Sequence, residues 1–283
     1  MAHKTMVGGT TYSVTGGKSM ISGTSYSVSL GKTKIDGTIY DITFKPLIYA
    51  MLYSDGSMVF QQGNNVEEGK VLSNSYKGFI GKKYDYYSNA PWYIQRNDIK
   101  KVLFNNISTT SIGYWFKGCT NLVNINYNGL DVDKIINMQN AHYRCRNLTG
   151  SPICGNNVND MRDAYYGCYN LTGSPVCGPN VVNMISTYYD CYKLTGSPVC
   201  GDNVTDMSTT YYNCRNLTGS PVCGPNVTDM GYTYYCCTNL TGSPICGDKV
   251  TRMYYTYYYC CNLTGSSVCG PNVTDMCCTY YDC

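Results

Sequence analysis

The chain has 283 residues, only 14% of them charged, with 31 Tyr, 29 Gly and 18 Cys. That length suits one elongated domain plus an attachment region. The net charge of +3 comes with no Lys/Arg run, which argues against a nucleic-acid patch, and no 18-residue apolar segment exists to span a membrane. The opening Met1–Gly9 has no apolar stretch of signal-peptide length. The expectation is cytoplasmic synthesis, followed by a virion- or tail-associated or extracellular-fibre location reached without a classical signal peptide.

In chain order, residues 1–44 carry a 14-residue repeat: Gly9-Thr10-Thr11-Tyr12-Ser13-Val14, Gly23-Thr24-Ser25-Tyr26-Ser27-Val28 and Gly37-Thr38-Ile39-Tyr40-Asp41-Ile42. Alternating apolar and hydroxyl residues with Gly punctuation predict short β-strands, with Gly17-Lys18 and Gly31-Lys32 as turns. This region reads as an attachment or assembly segment. Residues 45–118 read as a cap. Tyr49–Tyr53 and Met58–Gln62 flank Ser54-Asp55-Gly56-Ser57, a hairpin signal. Pro91–Ile99 predicts a short helix and Lys101–Phe104 a strand. Residues 119–283 read as stacked coils. They are degenerate at first, with Cys119 and Cys145 spaced more widely than the equivalent cysteines that follow.

From Asn147 to Cys283 a 23-residue unit recurs six times, starting at Asn147, Asn170, Lys193, Asn216, Asn239 and Asn262. Each copy is close to N-L-T-G-S-P-V-C-G-x-N-V-T-D-M-x-x-T-Y-Y-x-C-x. A strict period predicts one coil per copy, stacked into a solenoid. Met207, Thr210, Tyr211, Cys214 and Leu217 fall at the spacing of one apolar helix stripe, with Thr205 or Asp206 as the N-cap. Leu217–Cys223 predicts a short extended segment in which Pro221 lacks an amide donor. Gly224 turns the chain and Val227 re-enters the core. The expected fold is therefore a leucine-rich-repeat-like solenoid, one short strand and one short helix per coil, after a β-rich N-terminal region.

The pattern N-V-T-D-M-S-x-x-Y-Y-x-C-x-N-L resembles the BspA-like leucine-rich repeats of bacterial surface proteins, over about residues 90–283. Tyr114–Leu122, with Trp-Phe before Gly-Cys, is closer still to that family's pattern. The family typically carries Met-Phe where this chain has Thr-Tyr-Tyr. The leading G-G-T-x-Y repeats look like N-terminal parts of tail-associated structural proteins of phages from Gram-positive bacteria. The resemblance implies a surface-exposed or fibre-associated solenoid.

Each residue type then forms a column. The core columns are Met161, Met184, Met207, Met230, Met253 and Met276, and Cys168, Cys191, Cys214, Cys237 and Cys260, extended by Cys145 and Cys283. A second Cys column runs Cys154, Cys177, Cys200, Cys223, Cys246 and Cys269. Coils ~4.8 Å apart put neighbouring thiols within disulfide range, yet equivalent thiols have no unique pairing and suit a reduced core. Both readings stand on sequence alone. Cys236, Cys261, Cys277 and Cys278 break the columns, either by drift at exposed sites or as links between subunits. No C-x-x-C occurs and neither His joins a Cys cluster, so no metal and no cofactor is expected.

In each Tyr-Tyr pair the first residue lies on the apolar stripe. The second, Tyr166, Tyr189, Tyr212, Tyr235, Tyr258 and Tyr281, is predicted to form an exposed row suited to sugar or protein recognition. Beside it the copies differ: Arg162-Asp163, Ile185-Ser186, Ser208-Thr209, Gly231-Tyr232, Tyr254-Tyr255 and Cys277-Cys278. A fixed frame with one varied strip suits recognition, and relaxed constraint on a solvent face would look the same. The Thr187, Thr210, Thr233, Thr256 and Thr279 column raises a weaker ice-binding reading.

Catalysis has no motif: His3 and His142 lie in no triad, and no paired carboxylates, Walker loop or H-E-x-x-H occurs. Residues 147–283 hold five basic residues and nine Asp, a balance of −4, which leaves +7 on residues 1–146. The last copy closes on Tyr280-Tyr281-Asp282-Cys283 without a polar cap, which predicts end-to-end stacking or closure by a neighbour's N-terminal region. The first reading is a non-enzymatic structural or adhesive protein, a self-associating fibre or phage tail-fibre-like component with a Tyr-rich recognition face. The alternatives are a bacterial cell-surface adhesin for host protein or glycan, and a filament subunit with no ligand. The expected partners are copies of the chain itself and a host surface glycan or protein, with no nucleic acid.

Overall fold

A computed structural model describes residues 47–283 except 81, 83, 86–88, 267 and 268. It also describes the backbone pairing of the strand residues before them. β1 (His3–Val7) pairs antiparallel with β2 (Thr10–Val14). β3 (Lys18–Ile21), β4 (Thr24–Val28) and β5 (Phe44–Pro46) form a second antiparallel sheet. The first two 14-residue units thus supply strands as their alternation predicts. Lys18, expected in a turn, instead opens β3. Gly17, the Gly31-Lys32 turn and the third unit at Gly37–Ile42 lie outside the described residues.

β6 (Ile48–Tyr53), β7 (Ser57–Gln62), β8 (Leu72–Lys77), β9 (Lys101–Phe104) and β10 (Asn124–Asn126) form a mixed five-stranded sheet in the order β10-β9-β7-β6-β8. The β6–β7 hairpin turns at Gly56, φ 83°. There the Asp55 carboxylate accepts the Ser57 amide at 2.8 Å and its hydroxyl at 2.5 Å. Those bonds hold the Asp55 carboxyl below its usual range. Under the sheet, Phe60 stacks on Phe104 (4.9 Å) and Trp115 (5.2 Å) and meets Trp92 edge-on at 5.3 Å. The Trp92 indole N–H donates to the Trp115 carbonyl at 2.6 Å. The helix expected over Pro91–Ile99 is a single 3-10 turn, Tyr93–Gln95. Its backbone has no room to continue, because Ile99 is already buried and the chain enters β9 at Lys101.

β9 and β10 are parallel and one repeat period apart, with Val102 opposite Ile125. The same interval then continues as single parallel bridges joining Asn137, Asp160, Asn183, Asp206, Asp229, Arg252 and Asp275 in turn. Each copy lies against the next through these and further backbone bonds. The paired residue is therefore the Asp206 equivalent. The predicted strand over Leu217–Cys223 does not form.

No α-helix occurs among the described residues. In the third copy the amides of Met207, Thr209, Tyr211 and Asn213 donate to Asp229, Gly231, Thr233 and Tyr235 of the following copy. The intervening amides of Thr210, Tyr212 and Cys214 donate within the copy, to Met207, Thr209 and Tyr211. An α-helix needs every amide for its own i−4 carbonyl. Here every second amide serves the neighbouring copy, and the chain runs as consecutive turns with Thr209 and Asn213 at φ 55° and 62°. The predicted burial survives this change of backbone. Met207, Thr210, Tyr211, Cys214 and Leu217 are all fully buried. Asp206 starts the run of turns as an Asx turn, its Oδ1 accepting the Ser208 amide at 2.8 Å. Thr205 contributes no cap; its hydroxyl donates to the Val182 carbonyl of the preceding copy at 3.3 Å.

Candidate recognition face

Each copy buries polar groups as well as apolar ones. Val199 follows Pro198, which has no amide, and makes no backbone–backbone hydrogen bond among the described residues. The Tyr211 hydroxyl satisfies both of its groups, accepting the Val199 amide at 3.0 Å and donating to its carbonyl at 2.7 Å. Tyr165, Tyr188 and Tyr234 repeat this brace on Ile153, Val176 and Val222. Phenylalanine there would leave two part-buried backbone groups without this partner, costing about 1–3 kcal/mol together. These inner rings stack from copy to copy at 5.4–5.6 Å. At the head of the column His142 lies flat on Tyr165 at 4.7 Å, with Nε2 2.9 Å from the Tyr127 hydroxyl.

The thiols of the inner Cys column are donors. Cys214 gives its S–H to the Tyr188 carbonyl of the preceding copy at 2.9 Å, and Cys168, Cys191, Cys237 and Cys260 make the equivalent bond. All 18 cysteines are free, and burial pushes the inner thiols well up. In the second column burial raises Cys200 to about 12 and Cys223 to about 11. Thiols held protonated and buried are poor nucleophiles. The Thr column is equally internal: Thr210 is fully buried and donates to the Met184 carbonyl at 2.8 Å. It has no surface on which to carry the ice-binding reading.

The second tyrosines form the outer row. Tyr143, Tyr166, Tyr189, Tyr212, Tyr235, Tyr258 and Tyr281 stack face to face at 4.3–4.9 Å. Tyr166 through Tyr258 are half-buried, and Tyr281 is 51% exposed. Their faces are turned on one another, so the row offers ring edges and hydroxyls rather than open faces. The row expected to be exposed is thus, from Tyr166 to Tyr258, a half-buried stripe of hydroxyls and ring edges, because each ring is covered by the next. Sequence reasoning began the row at Tyr166 and missed Tyr143, although His142-Tyr143 aligns with the Tyr-Tyr pairs.

The varied strip lies alongside. Tyr232 stacks on Tyr255 at 4.9 Å and meets Tyr254 edge-on at 5.3 Å. Arg162 pairs with Asp160, and Arg252 with Asp229, each at 2.7 Å. Ser186, Thr209, Tyr232, Tyr255 and Cys278 all sit at φ 52–55°. Only glycine adopts that left-handed region without strain. In the last copy Met276 is 40% exposed, unlike the five fully buried methionines before it. Tyr280 stacks on Tyr257 at 5.4 Å, Asp282 is exposed, and the Cys283 thiol donates to the Tyr257 carbonyl at 2.7 Å.

Clefts open on the described surface, two of them lined by polar and charged side chains. One, of about 510 Å³, is lined by Gln61, Asn65, Asn105 and Glu67, the last already paired with Lys70 at 2.7 Å. The other, of about 350 Å³, lies at the head of the outer row among Arg96, Lys117, Arg144 and Arg146. Among the described residues no group of three His, Cys, Asp or Glu is placed to hold a metal, and no helix is long and apolar enough to cross a membrane. Compared with protein families, curated proteins and solved structures, the chain matches none.

Proposed function

We propose that residues 119–283 form a leucine-rich-repeat-like solenoid, of the BspA-like kind, that acts as a non-enzymatic structural and adhesive element on a fibre or tail assembly. The bridges that recur once per copy and the columns of stacked rings support the solenoid. The observation that carries recognition is the strip beside the outer row. Ser186, Thr209, Tyr232, Tyr255 and Cys278 keep side chains at left-handed positions, where each costs about 1 kcal/mol. Such side chains recur in two rows, here and four residues on at Asp190, Asn213, Cys236 and Tyr259, half-buried except at Tyr259, beside a frame whose backbone is braced by its own side chains, and this suits a surface whose side chains are used. Neighbouring hydroxyls on the outer row supply a hydrogen-bonding edge for a polyhydroxyl or peptide partner.

The test is attachment of fluorescently labelled protein to bacterial and host cell surfaces. The Tyr189→Ser/Tyr212→Ser/Tyr235→Ser variant is expected to lose attachment while its thermal unfolding remains cooperative. Attachment equal to the parent chain would sink the recognition reading.

A further inference from the structure

The head of the outer row differs chemically from its length. Lys117 occupies the rung before Tyr143, its ammonium 5.8 Å from the Tyr143 ring centroid, and the Arg144 guanidinium lies 5.2 Å from the same ring. Arg96 crosses Gly118, where an added Cβ would stand 3.3 Å from the arginine Cδ. Gly118, at φ 74°, therefore provides the floor on which Arg96 reaches the cleft. Arg146 completes the rim. Among the described residues no carboxylate lies within ion-pair distance of the Arg96, Arg144 or Arg146 guanidinium. Burial, opposed by Asp163 and reinforced by Arg144, lowers the Lys117 ammonium from its ordinary range. Four cations gathered on one cleft, three of them without an ion-paired carboxylate among the described residues, make a site for an anion.

Beyond the cleft the sign reverses. Asp163, which already acts on Lys117, marks the edge of the cleft, Asp190 lies further along the row, and residues 147–283 balance at −4. A continuous polyanion laid along the strip would meet its own charge. Nor do the stacked tyrosines offer faces for nucleobases. We infer that the cleft among Arg96, Lys117, Arg144 and Arg146 binds the single acidic sugar, carboxylated or sulfated, at the end of an otherwise neutral glycan whose next units lie along the hydroxyl edge of Tyr143, Tyr166 and Tyr189. Its volume falls within the ~300–1,000 Å³ of small-ligand sites. This assignment rests on the adhesive reading and adds the ligand's chemistry to it.

The experiment is calorimetric titration of the full chain with sialyllactose, 3′-sulfolactose and lactose. At least one acidic probe is expected to bind about ten-fold or more tightly than lactose, and the ratio of the two identifies carboxylate or sulfate as the preferred group. Arg144→Ala/Arg146→Ala, at two exposed positions, should bring the acidic probe down to the lactose level. Arg96→Ala should give a smaller loss in the same direction. Equal binding of all three sugars overturns the inference, as does undiminished acidic-sugar binding by the double variant. Displacement of the acidic sugar by a heparin fragment or oligothymidylate at lower concentration also overturns it, in favour of a general polyanion surface. If none of the sugars binds while the triple Tyr variant still abolishes cell attachment, the cleft assignment fails and the adhesive reading stands. If attachment is indifferent to the Tyr row, that reading fails on its own.

Discussion

Around Phe60 the sheet closes over apolar side chains, with Phe79, Trp92, Phe104, Trp115 and Phe116 all in ring contact and Leu52, Met58 and Val102 buried beside them. Around Tyr211 the third copy buries a hydroxyl, a threonine and a thiol beside its methionine. In the sheet the strands satisfy the backbone, so the core can be apolar. In the copies, half of the turn amides leave for the next copy and a proline interrupts the opposite side, so side chains must supply what strands supply elsewhere. The buried polar groups of the copies are thus part of the backbone's hydrogen bonding, and they fix register as well as fill space.

That contrast can be broken first at its apolar end. Phe60→Ala should destabilise the chain by about 4 kcal/mol, measured by denaturant unfolding. A loss near ~1 kcal/mol would mean that the sheet core is loosely packed. Two adjacent tyrosines test the polar end. Tyr211→Phe should cost about 2 kcal/mol by stranding Val199, whereas Tyr212→Phe should stay within about 0.5 kcal/mol. Equal effects would show that the brace contributes nothing.

Acid sharpens the comparison where the two regions meet. Burial pulls His142 down to about 3 from 6.5. The folded state therefore binds fewer protons than the unfolded one between those values. Its contribution is complete above pH 6.5 and is lost as pH falls, by about 2 kcal/mol at pH 5. Asp163 works in the opposite sense, since burial pushes its carboxyl up to about 6 from 3.8 and acidification over that window favours the fold. Unfolding curves at pH 7 and pH 5 should show a steeper acid loss in Asp163→Asn and little or none in His142→Phe. A parallel response in both variants would show that neither group sets it. Smallest of all, Thr209→Gly relieves a β-branched residue at φ 55° and should raise stability by about 0.5 kcal/mol. A clear loss would place the hydroxyl bond between Thr209 and Ser186, 2.7 Å, above the strain.

The inward stripe of Met207, Thr210, Tyr211 and Cys214 was legible because spacing decides which side faces in, for a helix and for a run of turns alike. The backbone itself was not legible. Whether the Thr209 amide bonds within its own copy or to Gly231 in the next leaves no mark on apolar periodicity. Pro221 did signal a break in pairing, but the group that compensates for it, Tyr234, lies near the far end of the same copy and reads as an ordinary core aromatic. The outer row was legible as adjacent tyrosines. Its ring orientation follows only from the spacing of the copies. The cleft escaped because Lys117 and Tyr143 are separated by more than one period, outside the strict repeat that made every other column visible.

The Tyr211–Val199 brace starts and ends inside one copy, whereas the backbone bonds between copies repeat at one offset, Met207 to Asp229 and then Met230 to Arg252. A copy is thus an interchangeable part. Removal or duplication of a whole 23-residue segment would leave the backbone amides of the turns with partners of the same kind. A shift of any other length would leave the columns out of phase. The length of the outer row can then change in fixed steps of one copy, with the same backbone contacts at each join.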